Sequence, residues 1–74
     1  MRKKLTELRP GEKAKITSIE GGIGFKQKIK SRGIRTGKNV KIVTRQPRGP
    51  LVVNIGEFQM TIGRGMADKI IVEA

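Results

Sequence analysis

Glycine and proline interrupt this chain so often that no stretch of more than nine residues is free of both. Such punctuation leaves room for strands of ordinary length and for a helix of two or three turns, and for nothing longer. The pieces between the breaks mostly read as strands. Pro10-Gly11 closes an opening segment in which Leu5 and Leu8 are spaced for a single helical turn. From Glu12 to Ile19, Ala14, Ile16 and Ser18 alternate with Lys13, Lys15 and Thr17, the period of a half-buried strand. Asn39 to Arg45 repeats the pattern, with Val40, Ile42 and Thr44 on one face and Lys41, Val43 and Arg45 on the other. Leu51 to Ile55 and Phe58 to Ile62 flank Gly56-Glu57, the two-residue spacing of a tight hairpin with glycine at its first central position. Gly63, Arg64 and Gly65 lead through a short turn into a last strand, Lys69 to Glu73.

The segment 25–32 supports two readings. Phe25, Gln27, Ile29 and Ser31 alternate with Lys26, Lys28, Lys30 and Arg32, as a strand would. Phe25 and Ile29 are also one helical turn apart, Ile29 is the only β-branched residue, and Gly33 stands where helices commonly stop. The reading adopted is a short helix ended by Gly33. About five strands and one short helix in 74 residues make a mainly β fold, best arranged as a small, partly closed barrel in a single domain spanning 1–74. Its core must be thin, with no deep pocket from which water is excluded.

Composition narrows the chemistry. The chain has no cysteine and no histidine, which excludes disulfides, thiolate nucleophiles, imidazole bases and the usual zinc and copper ligands. Carboxylates are few and scattered. Glu20, at a strand end beside Gly21-Gly22, is the best-placed single metal-ligand candidate, but hard cations need several convergent oxygens, and a lone turn carboxylate is the plainer reading. No cofactor and no small-molecule substrate are expected, and nothing points to an enzyme. Gly21-Gly22-Ile23-Gly24 lacks the Gly-Lys-Ser/Thr ending of a phosphate loop and reads as turn positions with positive φ. No aliphatic run approaches the ~20 residues of a membrane span. Charged residues interrupt any signal-peptide core after Met1-Arg2-Lys3-Lys4. The expected location is the cytoplasm.

The charge is unevenly placed. Lysine and arginine number 17 against 6 aspartates and glutamates, for a net charge of +11. Between Glu20 and Glu57 there is no acid, while Lys26, Lys28, Lys30, Arg32, Arg35, Lys38, Lys41, Arg45 and Arg48 all fall in that window. It therefore carries +9 of the +11. Such a field attracts an acidic protein, nucleic acid or anionic lipid, and the bland alternative is that the lysines keep a small barrel in solution. Specific single-strand binding would need stacking aromatics. Only Phe25 and Phe58 exist, both at apolar periodic positions expected in the core. Ile34, Val43, Val53, Ile55 and Met66 exceed what so thin a core holds, which leaves some as an exposed patch suited to a partner or to self-association.

Leu5-Thr6-Glu7-Leu8-Arg9-Pro10-Gly11-Glu12, followed by Ala14 and Ile16, resembles the opening of the ferrous iron transport protein A (FeoA) family. Phe25, Lys26 and Ile29, then Gly33-Ile34-Arg35-Thr36-Gly37, resemble its helix and glycine-bounded turn. Gly49-Pro50-Leu51 is similar to its hairpin start, and Ala67-Asp68-Lys69-Ile70-Ile71-Val72-Glu73 to its closing strand. The resemblance implies an SH3-like barrel and a non-enzymatic accessory of ferrous iron uptake, which docks on the cytosolic region of a membrane transporter of the FeoB kind. It would then work at the inner face of the membrane. The basic window supplies the expected contact surface: Lys26, Lys28, Lys30, Arg32, Arg35 and Lys38. The chain departs from the family pattern at Gly63-Arg64-Gly65-Met66, where a helix-favouring stretch is usual and a looser turn is expected here. It departs again at Arg32, which replaces an apolar residue. The competing reading is a general basic module for nucleic acid or other polyanions.

Overall fold

The computed structural model describes all 74 residues. Six strands form one antiparallel sheet: β1 (Arg2–Lys4), β2 (Lys13–Ile19), β3 (Asn39–Arg45), β4 (Leu51–Ile55), β5 (Phe58–Ile62) and β6 (Ile70–Glu73), in the spatial order β1-β6-β2-β3-β4-β5. A 3₁₀ turn occupies Leu5–Glu7, and two helices, α1 (Ile23–Ser31) and α2 (Arg64–Ala67), interrupt the strands. The sheet curls around a single cluster of 15 buried residues, all apolar. This is the expected mainly β, SH3-like architecture, with one strand more than the sequence suggests.

The additional strand is β1. Three consecutive basic residues carry no alternation, so nothing local announces a strand. It forms because β6 offers an edge, with Arg2 opposite Glu73, Lys3 opposite Val72 and Lys4 opposite Ile71. The terminal ammonium closes the end on the Glu73 carboxylate at 2.7 Å. Leu5 and Leu8 then turn inward and are fully buried.

Elsewhere the local signals act as expected. β4 and β5 meet across Gly56-Glu57, with Ile55 opposite Phe58. Gly56 has φ +61 and Glu57 does not share the left-handed region, as in a type II′ turn. α1 ends where glycine allows it. Gly33, at φ +85, donates its N–H to the Lys30 carbonyl, and Ile34 donates to Ile29. This is a Schellman ending, in which the flanking apolar residues pack together. Ile29 and Ile34 are both fully buried.

Four expectations are corrected. First, strict alternation fails in both long strands, because β2 and β3 each contain a bulge. In β3 the register slips between Ile42, opposite Val53, and Thr44, opposite Val52. The extra residue, Val43, reverses the facing of the residues after it, so that Thr44 is exposed and Arg45 lies opposite buried Leu51. In β2 the slip at Thr17 brings Ile19, rather than Ser18, against the core. Second, Gly63-Arg64-Gly65-Met66 is not a loose turn. It forms the helical turn of α2, started by Gly63 and held by buried Ala67, with Asp68 accepting a hydrogen bond from the Thr6 hydroxyl at 2.7 Å. Third, Phe58 is not in the core but 71% exposed at the start of β5, while Phe25 is half-buried. Fourth, Ile34, Val53 and Ile55 are all buried and Val43 and Met66 half-buried, so the expected apolar patch does not form from them. The large apolar residues left outside are Met1, Ile23 and Phe58, on three different segments.

Candidate functional site

The acid-free window folds into α1, the loop after it, β3 and the β3–β4 turn. Neither of the chain's two ion pairs, Met1 with Glu73 and Lys3 with Glu12, involves a residue of that window. Two of the nine cations are nevertheless engaged by the fold. Arg45, turned inward by the β3 bulge, donates to the carbonyls of Thr6 and Leu8 at 2.8 and 2.9 Å. Arg32 caps α1 and reaches across to β5, donating to the Thr61 carbonyl at 3.0 Å and approaching the Met66 sulfur at 3.5 Å. Expected as a free contact residue, it is a brace in the structure.

The other five expected contact residues separate into groups. On a helix, Lys26 and Lys30 share one flank while Lys28 and Arg32 lie on the other, because residues two apart point nearly opposite ways. Phe25 and Ile29 face the core between those flanks, and Lys69 lies over the Phe25 ring with its ammonium 4.8 Å from the centroid. Lys26 and Lys30 join Arg35 around a groove between α1 and β2, whose remaining walls are Thr17, Ser18, Ile19, Ile34 and Thr36. The groove exists because β3 stops pairing with β2 at Lys15–Asn39. Beyond that point the loop after α1 takes over, with Gly37 donating to the Ile16 carbonyl at 2.7 Å and Ile16 donating to Lys38 at 2.9 Å. The segment Thr17–Ile19 therefore has a helix and a loop beside it instead of a strand.

Lys38 belongs to a different place. Its ammonium lies over the β4–β5 turn, 3.8 Å from where a side chain on Gly56 would begin. Beside it, a shallow depression is lined by Lys13, Asn39, Lys41, Asn54 and Gly56, with Lys13 directly opposite Lys41 across the β2–β3 pairing. Sequence reasoning groups Lys38 with the helix and leaves out Lys13 and Lys41. It also misses the hydroxyls of Thr17, Ser18 and Thr36, which come to the basic groove only through the strand–helix crossing, and no local signal marks them.

Glu20 is exposed and lines a shallow surface with Arg2, Lys3, Lys4, Glu7 and Ile71. No three acidic, histidine or cysteine side chains are grouped to hold a metal ion. Gly21, next to it, is at φ +115, whereas Gly22 is extended and begins α1. No helix is long and apolar enough to cross a membrane.

Known proteins share this architecture. The FeoA domain family model matches residues 3–74. A Methanocaldococcus jannaschii protein bearing the name Putative Fe(2+) transport protein A is 36% identical over 63 residues, which cover 85% of this chain and 76% of that protein. A Porphyromonas gingivalis protein named as a fusion of Fe(2+) transport protein A with the Fe(2+) transporter FeoB is 34% identical over 71 residues. Those residues are 95% of this chain and 8% of the fusion. Among solved structures, a crystal structure of an iron uptake regulatory protein (FeoA) superposes with a TM-score of 0.93 at 32% identity, covering 99% of this chain and 97% of that one.

Proposed function

The chain belongs to the FeoA domain family of Fe(2+) transport, and on that premise we propose that it docks on the cytosolic region of a FeoB-type ferrous iron transporter and modulates uptake without catalysing a reaction itself. The observation that carries this reading is the fusion, in which a domain 34% identical to this chain is covalently part of a transporter. Fusion holds two modules at an effective concentration in the millimolar range for short flexible linkers. A separate chain must supply that encounter through its own surface. Here an unneutralised basic face accelerates association with an acidic partner, and the advantage falls as salt rises.

The proposed contact surface comprises Lys26, Lys28, Lys30, Arg35 and Lys38, with Arg32 keeping α1 in place behind them. Co-purification of the chain with the soluble region of its cognate transporter tests the reading. Binding is expected at low salt, weakened by added salt and by Lys28→Glu with Lys38→Glu. Absence of contact at every salt concentration would overturn it. A nucleic-acid module has less support, because Phe25 is half-buried beneath Lys69 and Phe58 stands alone, so no stacking platform is formed.

A further inference from the structure

Several arginines of this chain are absorbed by the fold. Arg32, Arg45 and Arg64 all donate to main-chain carbonyls, of Thr61, of Thr6 and Leu8, and of Gln46. The groove between α1 and β2 is different. Lys26, Lys30 and Arg35 line it with no carboxylate in its walls and no ion pair to any of them. Holding three like charges around one concavity without a counter-charge raises the energy of the empty site.

The hydroxyls complete the pattern. Ser18 Oγ accepts from Arg2 at 3.4 Å, so its own proton remains available to donate. The Thr36 hydroxyl makes no hydrogen bond within the chain, whereas Thr17 already donates to the Ile71 carbonyl at 3.3 Å. Buried Ile34 and half-buried Ile19 form the apolar part of the wall, which limits competing water. Three cations, one of them a planar guanidinium, and two free hydroxyl donors match the charge and the several acceptor oxygens of a phosphate group better than those of a carboxylate. The space enclosed, about 490 Å³, admits a phosphate with a small substituent.

We propose that this groove is a binding site for a phosphate group, either free inorganic phosphate or the phosphate of an anionic lipid headgroup. The site goes beyond the docking reading and stands without it, because the isolated chain is expected to bind.

The test is a titration of the isotope-labelled chain with sodium phosphate, followed by amide and side-chain NMR shifts at constant ionic strength. A parallel arm sediments the chain with phosphatidylcholine vesicles containing phosphatidic acid. Saturable shifts centred on Ser18, Arg35 and Thr36 are expected. Removal of one charge-assisted hydrogen bond in Lys30→Gln or Arg35→Gln should weaken affinity by about tenfold. Lys28→Gln, on the opposite flank of α1, should leave it unchanged. Saturation by free phosphate identifies a soluble ligand. Vesicle binding lost in the same two variants, without saturation by free phosphate, identifies the headgroup. Shifts spread over all basic residues without saturation, together with vesicle binding insensitive to Lys30→Gln and Arg35→Gln, would overturn the site. So would no response in either arm.

Discussion

The Arg32 guanidinium donates to the Thr61 carbonyl at 3.0 Å, joining the C-terminal end of α1 to β5. β5 is an edge of the sheet, and Thr61 pairs with Val52 on its other side. Edge strands leave main-chain groups unpaired and invite pairing with other chains. The brace therefore does two things: it holds the helix against the barrel and covers one acceptor of the open edge. Replacing Arg32 with alanine should cost on the order of 1 kcal/mol, which in a domain this small is roughly 4–8 °C of melting temperature. The same change at Lys28, whose side chain has no partner in the fold, should be within about 0.5 kcal/mol of neutral. Thermal denaturation of both variants compares them directly, and equal losses would remove the brace from Arg32.

Arg45 has a comparable role at the other end of the core. Its Nη1 donates to the carbonyls of Thr6 and Leu8, which flank the end of the 3₁₀ turn. Arg45→Met keeps most of the apolar stem but leaves both acceptors without a donor. The expected loss is about 1–3 kcal/mol, measured as a lower midpoint in urea with an unchanged slope.

These two arginines show where the sequence is readable and where it is not. The hairpin from Leu51 to Ile62 and the stop of α1 at Gly33 are local facts, fixed by turn chemistry over a few residues. The facing of Arg45 depends on one extra residue, Val43, whose position becomes visible only when β4 lies alongside. β1 depends on β6, almost the whole chain away. The basic site is legible as a composition window, but helical geometry divides it. Lys26 and Lys30 go to the groove, Lys28 and Arg32 to the other flank, and Lys38 to the hairpin turn. Ser18 and Thr36 enter the groove through tertiary contacts that no spacing encodes.

Glu12 gives the fold a dependence on acid. Its carboxylate accepts the Arg9 N–H at 2.9 Å, and Lys3 lies 3.7 Å away. The hydrogen bond from Arg9, aided by the nearby Lys3 and Arg9 charges and opposed in part by desolvation, holds its pKa below the ordinary 4.5. A carboxylate with a depressed folded pKa stabilises the fold above its unfolded value, and that contribution disappears as pH falls through the folded value. Glu12→Gln should therefore be less stable than the parent at neutral pH, with the gap constant down to about 4.5 and closing below it. Melting curves at neutral pH and through the acid range would show this, and a gap independent of pH would exclude the ionised carboxylate as its source.

Gly21 sits at φ +115, and a side chain there would begin 2.8 Å from Cδ2 of Phe25. Alanine at this position meets both an unfavourable backbone conformation and a ring that is itself held between the core and Lys69. Gly21→Ala should cost about 1–3 kcal/mol. It should also move the Phe25 ring resonances, because the ring is the part able to yield. A loss of stability with unmoved Phe25 signals would place the strain in the backbone alone.

Lys13 and Lys41 face each other directly across β2 and β3, with Asn39 and Asn54 beside them and no acid to separate the charges. Like charges at opposed positions weaken a sheet, and opposite charges strengthen it, each by about 0.2–1 kcal/mol. Lys41→Glu converts the one into the other, so the variant should melt a few degrees higher than the parent at low salt. The pair is exposed, and the gain should shrink once salt shortens the Debye length to about 3 Å near 1 M. An increase at low salt that vanishes at high salt would show that the basic surface lowers the stability of this fold. If the same variant also binds the transporter's soluble region less well, the repulsion is the cost of the field that brings the partner in. An unchanged melting temperature at both salt concentrations would show that the two ammonium groups already avoid each other in solvent.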